Sequence, residues 1–138
     1  MKTLESGLST YSHGLQLARR SRTFNITSQG VSVCFLKLHE GFYLELVAPI
    51  TEAQSKLSSY LRTGFYHLCF LTEDISAARA HLKKRRFVAL PSFSSEAFAG
   101  ELCQFFVSPE SHLIELAQIS PDNFLSFLAH NSADREIS

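Results

Sequence analysis

FLKLHEGFYLEL, at residues 35–46, returns 70 positions later in altered form as FFVSPESHLIEL, at residues 105–116. In both segments two strand-like apolar runs surround a polar turn, and a glutamate, Glu45 or Glu115, stands at the same place. An internal repeat of this kind predicts two copies of one structural module. Equivalent carboxylates from the two copies can converge near the axis that relates them, so the repeat directs attention to these two glutamates.

The composition supports one ordinary domain with a real core, since the chain has 138 residues, of which 45% are apolar. We expect a single domain over residues 1–138, with a first module at about 10–50, a second at about 64–118 and a C-terminal helix at about 120–130. The formal net charge is zero, which argues against nucleic acid or an acidic membrane surface as a partner. A small-molecule substrate or ligand is the expected partner.

Cysteine usage and the distribution of apolar residues predict a cytoplasmic protein. Cys34, Cys69 and Cys103 lie in strand-like apolar runs without CxxC spacing, which favours reduced core residues over disulfides or a zinc site. The first residues form no apolar signal region, and nowhere do about eighteen apolar residues run together. We therefore expect neither export nor a membrane span.

Alternating apolar residues and turn signals predict most of the secondary structure. The predicted strands are residues 22–26, 31–38, 42–47, 65–71, 87–90, 101–107 and 112–117. A capping-box sequence at 51–54 predicts a linker helix, and Asp74 can cap a second helix. A third helix is predicted from Ser120, with Phe124, Phe127 and Leu128 forming its apolar stripe.

The start of the chain leaves two alternatives open. His67 precedes Glu115 by 48 residues, whereas His13, the only candidate counterpart, precedes Glu45 by 32. The first module is therefore shorter by about one helix with its loop. Either residues 11–17 form the first strand and the helix is missing, or residues 12–20 form a helix and the first strand is missing.

Two carboxylates and one or two imidazoles on central strands would form a site for a divalent metal, because mixed nitrogen and oxygen ligands suit borderline cations. Alternation places the carboxylate of Glu45 on the face opposite Leu44 and Leu46. Two simpler readings compete with this one. Both glutamates could face solvent on half-exposed strands, and His67 could be a hydrogen-bonded core residue.

Three motifs in order resemble the vicinal oxygen chelate superfamily, which contains the glyoxalases, bleomycin resistance proteins and dioxygenases. They are GFYLELVAP at residues 41–49, FYHLCF at 65–70 with Glu73-Asp74-Ile75 following, and LIEL at 113–116. The likeness is greatest to the branch with glyoxalase I and methylmalonyl-CoA epimerase, and it covers roughly residues 31–118.

The resemblance implies an α+β fold in which two βαβββ modules form a curved mixed sheet, the first module lacking its helix or its first strand. An apolar sheet face left without its helix needs another cover. The C-terminal helix, with Phe124, Phe127 and Leu128, is the candidate for that cover. Open sheet edges in a shortened module also predict a homodimer.

The resemblance also implies a function. Carried over by motif, Glu45, His67 and Glu115 match metal-ligand positions, and His13 is the candidate for the fourth ligand, in a poorly matching segment. The implied cofactor is a divalent metal such as Zn, Ni, Co, Fe or Mn. The implied reaction is a lyase or isomerase step by proton transfer beside a carbonyl of a small oxygenated or thioester substrate, with Glu45 and Glu115 as catalytic residues. The alternative is a non-catalytic small-molecule binding protein of the drug-sequestering kind.

Overall fold

Nine strands, three helices and one short 3-10 helix at Glu96–Phe98 lie in the part of the chain that the computed structural model describes, residues 1–50 and 64–133. The helices are α1, an α-helical turn at Leu4–Gly7 that continues as a π-helix over Leu8–Gly14, α2 at Ile75–Lys84, and α3 at Pro121–His130. The strands are β1 Ala18–Arg19, β2 Phe24–Ile26, β3 Val31–His39, β4 Phe42–Pro49, β5 Leu68–Thr72, β6 Val88–Ala89, β7 Phe93–Ser95, β8 Glu101–Val107 and β9 Leu113–Gln118.

The strands form two sheets of the same design. In the first sheet β3 pairs antiparallel with β1, β2 and β4. In the second sheet β8 pairs antiparallel with β6, β7 and β9, and β9 also pairs in parallel with β5. The parallel pair makes the second sheet mixed, and the α+β architecture predicted from the sequence is confirmed.

The 70-residue repeat extends through both sheets to the backbone conformation. Six of the eight positive-φ residues in the described part of the chain form pairs that are 70 positions apart: Gln16 and Arg86, Gly30 and Gly100, Gly41 and Ser111. Left-handed backbone is unfavourable for residues other than glycine, so these pairs mark turns of the same geometry. β1 and β6 are likewise 70 residues apart.

Within residues 1–50 the first module has its helix, and no strand precedes that helix. The predicted strand over residues 11–17 is wrong, because π-helix continues to Gly14, and the alternative helix over 12–20 is wrong in position. α1 packs Leu4 and Leu8 against Leu36 and Leu46. α2 packs on Phe106 and Leu116 at the equivalent places of the second sheet. The two helices are therefore counterparts.

The place in the first sheet that corresponds to β5 in the second lies beside β4. Within residues 1–50 and 64–133, β4 pairs only with β3, whereas its counterpart β9 pairs with both β8 and β5. One backbone contact remains there, from the Met1 nitrogen to the Val47 carbonyl oxygen at 3.3 Å. Leu71 and Ala117, which lie 70 positions after these two residues, are partners in the β5–β9 ladder.

Helix starts follow the predicted capping residues. The Asp74 carboxylate accepts a hydrogen bond from the Ala77 backbone N–H at 2.9 Å, and the Ser120 hydroxyl accepts one from Asn123 at 3.1 Å. The predicted linker helix at 51–61 lies outside the described residues. The described helices include none that is long and apolar enough to cross a membrane.

The C-terminal helix packs on the face that carries Glu45, which we call the inner face. Phe124 and Leu128 are buried there and Phe127 is half-buried, as the apolar stripe predicted. Phe124 contacts Phe35 at a ring-centroid distance of 5.4 Å. The predicted location was wrong, because the opposite face of the first sheet is already covered by α1.

Phe124 is the main anchor of α3, and its replacement by alanine should lower the free energy of unfolding by about 3–5 kcal/mol, the usual cost of removing a buried phenylalanine. Leu125→Ala is the matched control, because the neighbouring Leu125 is 46% exposed. Urea unfolding followed by circular dichroism measures both variants. Equal stability of the two variants would show that α3 does not pack as described.

Candidate metal centre

Glu45 and Glu115 occupy equivalent places in the two sheets. Glu45 in β4 is the cross-strand partner of Phe35, and Glu115 in β9 is the cross-strand partner of Phe105. Partners in an antiparallel pair lie on the same face, so each carboxylate shares the inner face with a buried phenylalanine. The simpler reading, that both glutamates face solvent, does not hold, since the side-chain exposures are 15% and 5%.

His67 lies between the two carboxylates. Its Nε2 atom is 3.3 Å from Glu45 Oε2 and 3.2 Å from Glu115 Oε1. One ligand atom from each of the three residues lies within 4.8 Å of the others. His67 immediately precedes β5. Because β5 pairs in parallel with β9, the strand of Glu115, the imidazole lies beside Glu115 on the inner face.

Burial and the neighbouring negative charges act in opposite directions on the pKa of His67. Burial alone would lower the pKa of the imidazole, but hydrogen bonds to Glu115 and Glu45 and their negative charges outweigh it and raise the pKa of His67 to about 10. For Glu115, burial and the charge of Glu45 raise the pKa against the opposing effects of His67 and Cys69. Without a metal, the centre is thus an imidazolium held by two carboxyl groups.

The donor set fits a divalent transition metal. One imidazole nitrogen and two carboxylate oxygens are ligands that zinc and neighbouring first-row metals accept, with further positions open to water or substrate. The buried Nδ1 of His67 has no hydrogen-bond partner in the described residues. Metal-ligating histidines usually have such a partner on the second nitrogen, so orientation of this ring depends on packing instead.

Aromatic rings hold the imidazole in place. The ring of His67 meets those of Tyr66 and Phe105 edge to face, at centroid distances of 4.6 Å and 5.1 Å. The cavity beside the three ligand atoms has a volume of about 20 Å³. Its other lining residues are mostly apolar: Ile26, Gln29, Val31, Val33, Val47, Tyr66, Phe93 and Phe105. The site is small, and its walls are mainly apolar.

Two thiols and an amide near the centre were not singled out by the sequence analysis. Cys69 is the cross-strand partner of Glu115, and burial raises the pKa of the Cys69 thiol, which keeps it protonated. Cys103 is buried on β8, the other neighbour of β9, and Gln29 lines the cavity. Cys69 was detectable in principle, because a residue two positions after His67 on a strand points to the same face.

The structure brings together three of the four predicted ligands, Glu45, His67 and Glu115. Their roles as ligands, and those of the two glutamates in catalysis, stay predictions. His13 does not lie with them. It is an exposed residue near the end of α1, the helix that packs on the opposite face of the first sheet. Lys83, near the end of α2, is the residue 70 positions after His13, so the histidine matches a helix end and not a strand.

Comparison with known proteins supports the fold. The family described as "Glyoxalase/Bleomycin resistance protein/Dioxygenase superfamily" matches residues 2–107. A search of curated proteins finds no match.

Solved structures share the fold at low sequence identity. Hypothetical protein BH1468 from Bacillus halodurans C-125 has a TM-score of 0.71 at 20% identity, covering 87% of this chain and 88% of that one. Methylmalonyl-CoA epimerase from Mycobacterium tuberculosis has a TM-score of 0.68 at 19% identity, covering 88% and 84%. Streptomyces coelicolor methylmalonyl-CoA epimerase in complex with 2-nitronate-propionyl-CoA has 0.67 at 24%, covering 84% and 89%.

The raised pKa of His67 predicts how the stability of the metal-free protein depends on pH. A folded-state pKa of about 10, against 6.5 for an ordinary imidazole, contributes stability that is fully present below about pH 6.5 and is lost as the pH rises through about 10. Urea unfolding between about pH 7 and 10 should show a larger loss of stability for the wild type than for His67→Gln. His112→Gln, at an exposed histidine, should behave as wild type. Parallel curves for wild type and His67→Gln would contradict the buried imidazolium.

Proposed function

The chain belongs to the Glyoxalase/Bleomycin resistance protein/Dioxygenase superfamily, and we propose that it is a metal-dependent lyase or isomerase of the glyoxalase and epimerase type. The observation that carries the proposal is the group formed by Glu45, His67 and Glu115, with one ligand atom of each within 4.8 Å of the others. The proposed substrate is a small molecule with a carbonyl group beside an acidic carbon. Epimerase folds among the solved structures support this reaction type.

The two glutamates of the centre would serve both as metal ligands and as the acid–base groups. Glu45, His67 and Glu115 would hold the metal, which supplies positive charge that stabilises an enolate-like transition state. One of the two carboxylates takes the proton from the carbon beside the carbonyl and returns it to the product, since both lie where a substrate would meet the ligand group. The apolar walls exclude water and strengthen these electrostatic interactions.

The size of the cavity limits what can enter. Its volume of about 20 Å³ is close to the 10–15 Å³ that one water molecule needs. A whole coenzyme A ester does not fit inside it. We therefore infer that the reacting part of the substrate is small, either a compact oxygenated molecule or the acyl end of a thioester whose remainder stays outside, and that its entry moves side chains of the wall.

A non-catalytic binding protein on the same fold is the alternative. It is favoured by the ligand count, because the described residues bring three ligands together and place His13 elsewhere. A site with fewer protein ligands holds metal more weakly and needs more from solvent or substrate. The homodimer and the cytoplasmic location predicted from the sequence stay predictions, the first supported by the single pairing of β4 within the described residues.

Metal binding is the first test. The purified protein should bind one Zn²⁺ or Co²⁺ per chain, measured by elemental analysis and calorimetric titration. Glu45→Gln, His67→Ala and Glu115→Gln should each lose more than the 10- to 100-fold in affinity that is typical of residues outside the ligand set. His13→Ala and Glu110→Gln, at an exposed histidine and an exposed glutamate, are controls that should bind as wild type. A loss of metal affinity in His13→Ala would show that His13 is a ligand after all.

Turnover is the second test. We expect slow conversion that requires added metal when the protein is assayed with methylglyoxal hemithioacetal and with methylmalonyl-CoA, each with Ni²⁺, Co²⁺, Mn²⁺, Zn²⁺ or none. Three protein ligands leave the metal less firmly held than four, which is the reason to expect a low rate. Glu45→Gln and Glu115→Gln should abolish it. Stoichiometric metal binding without turnover on either substrate would favour the binding protein.

A further inference from the structure

We propose that Cys69 is a positioning residue of the metal centre, whose thiol holds the Glu115 carboxylate in the orientation that binds metal. The inference rests on the proposed metal site and adds to it a residue that neither the sequence repeat nor the group of three ligands contains.

Strand register places the thiol beside the carboxylate. Cys69 and Glu115 are direct partners in the parallel β5–β9 ladder, and Cys69 packs against the core of the inner face. The thiol therefore lies beside the carboxylate, and a hydrogen bond with Cys69 is among the influences that lower the pKa of Glu115. Cys69 also lies two residues after His67. Their side chains therefore point to the same face, and both approach Glu115 from the same segment.

A buried carboxylate needs this second donor. His67 Nε2 contacts Glu115 Oε1 at 3.2 Å, but the carboxylate can still rotate about its last side-chain bond, for which several angles are of similar energy. A hydrogen bond from Cys69 selects one rotation and satisfies a carboxylate that is 5% exposed. Outer contacts of this kind commonly set the orientation of a metal ligand and its affinity.

The two glutamates differ in this respect. Among the described residues His67 is the partner that the structure gives Glu45, and the Glu45 side chain is 15% exposed. Glu115 has His67 Nε2 at 3.2 Å and also has Cys69 directly opposite it in the β5–β9 ladder. The sequence repeat makes the glutamates equivalent, and the thiol makes Glu115 the more firmly fixed of the two.

The test compares Cys69→Ala, which removes the donor, with Cys69→Ser, which keeps a donor of similar shape. The full-length protein is titrated with Co²⁺ and Zn²⁺, and the melting temperature of the metal-free protein is measured. Cys69→Ala should bind both metals 10- to 100-fold more weakly, as is usual for a residue that orients a ligand. Cys69→Ser should keep most of the metal affinity, even if both variants melt at a lower temperature than the wild type. If the role of Cys69 were merely structural, the two variants would not differ in metal affinity.

Cys103→Ala is the matched control, since Cys103 is a buried thiol on the same face whose sulfur contacts the Glu101 carbonyl oxygen at 3.8 Å. It should bind metal as wild type. Equal affinities in wild type and Cys69→Ala would overturn the proposal while leaving the metal site intact. A thiolate-to-cobalt charge-transfer band that disappears in Cys69→Ser would also overturn it, because Cys69 would then be a ligand. A wild type that binds no metal would remove both this proposal and the proposed function.

Discussion

Two carboxylates that share one imidazole in a buried space constrain the rest of this structure. Glu45 and Glu115 belong to different sheets, and both lie within 3.3 Å of His67 Nε2. Two carboxylates whose ligand atoms lie within 4.8 Å of each other repel, and an uncompensated buried charge is costly, so a positive charge between them stabilises the folded chain. The proton of His67 or a metal ion can supply that charge. The inner faces of both sheets have to meet closely around it, which is what the shared apolar core of the two modules provides.

The extent to which sequence predicted this fold differs between regions for a physical reason. β3, β4, β8 and β9 were predicted nearly to the residue, because each is an apolar run bounded by turn signals, and the middle residues of β3, β8 and β9 are buried on both faces. The first residues were misjudged because Tyr11, His13 and Leu15 alternate like a strand. The informative spacing was that of Leu4, Leu8 and Tyr11, which lie on one helical face and pack on the first sheet.

Packing on a sheet explains how a weak helical sequence becomes a helix. Residues 8–14 are rich in Ser, Thr and Gly, which have low helical propensity, and they adopt the rarer π-helix. Most helical stability in proteins comes from burying an apolar face, and Leu36 and Leu46 offer such a partner. A similar limit applies to α3: its apolar stripe predicted which residues are buried, but a stripe carries no information about which sheet face will receive it. The aromatic cluster with Phe35 and Phe98 determines that.

The candidate site was predictable where the repeat applies and unpredictable where the repeat is incomplete. Glu45 and Glu115 could be found by comparing the two modules, because each follows the same hairpin with its left-handed residue, Gly41 or Ser111. His67 and Cys69 belong to β5 and its approach, and residues 1–50 contain no strand that pairs with β4 as β5 pairs with β9. The repeat therefore offers no counterpart with which the two residues could be compared. A symmetric pair of glutamates thus acquires its histidine and its thiol from the second module alone, and the resulting centre is asymmetric although its two carboxylates are equivalent in sequence.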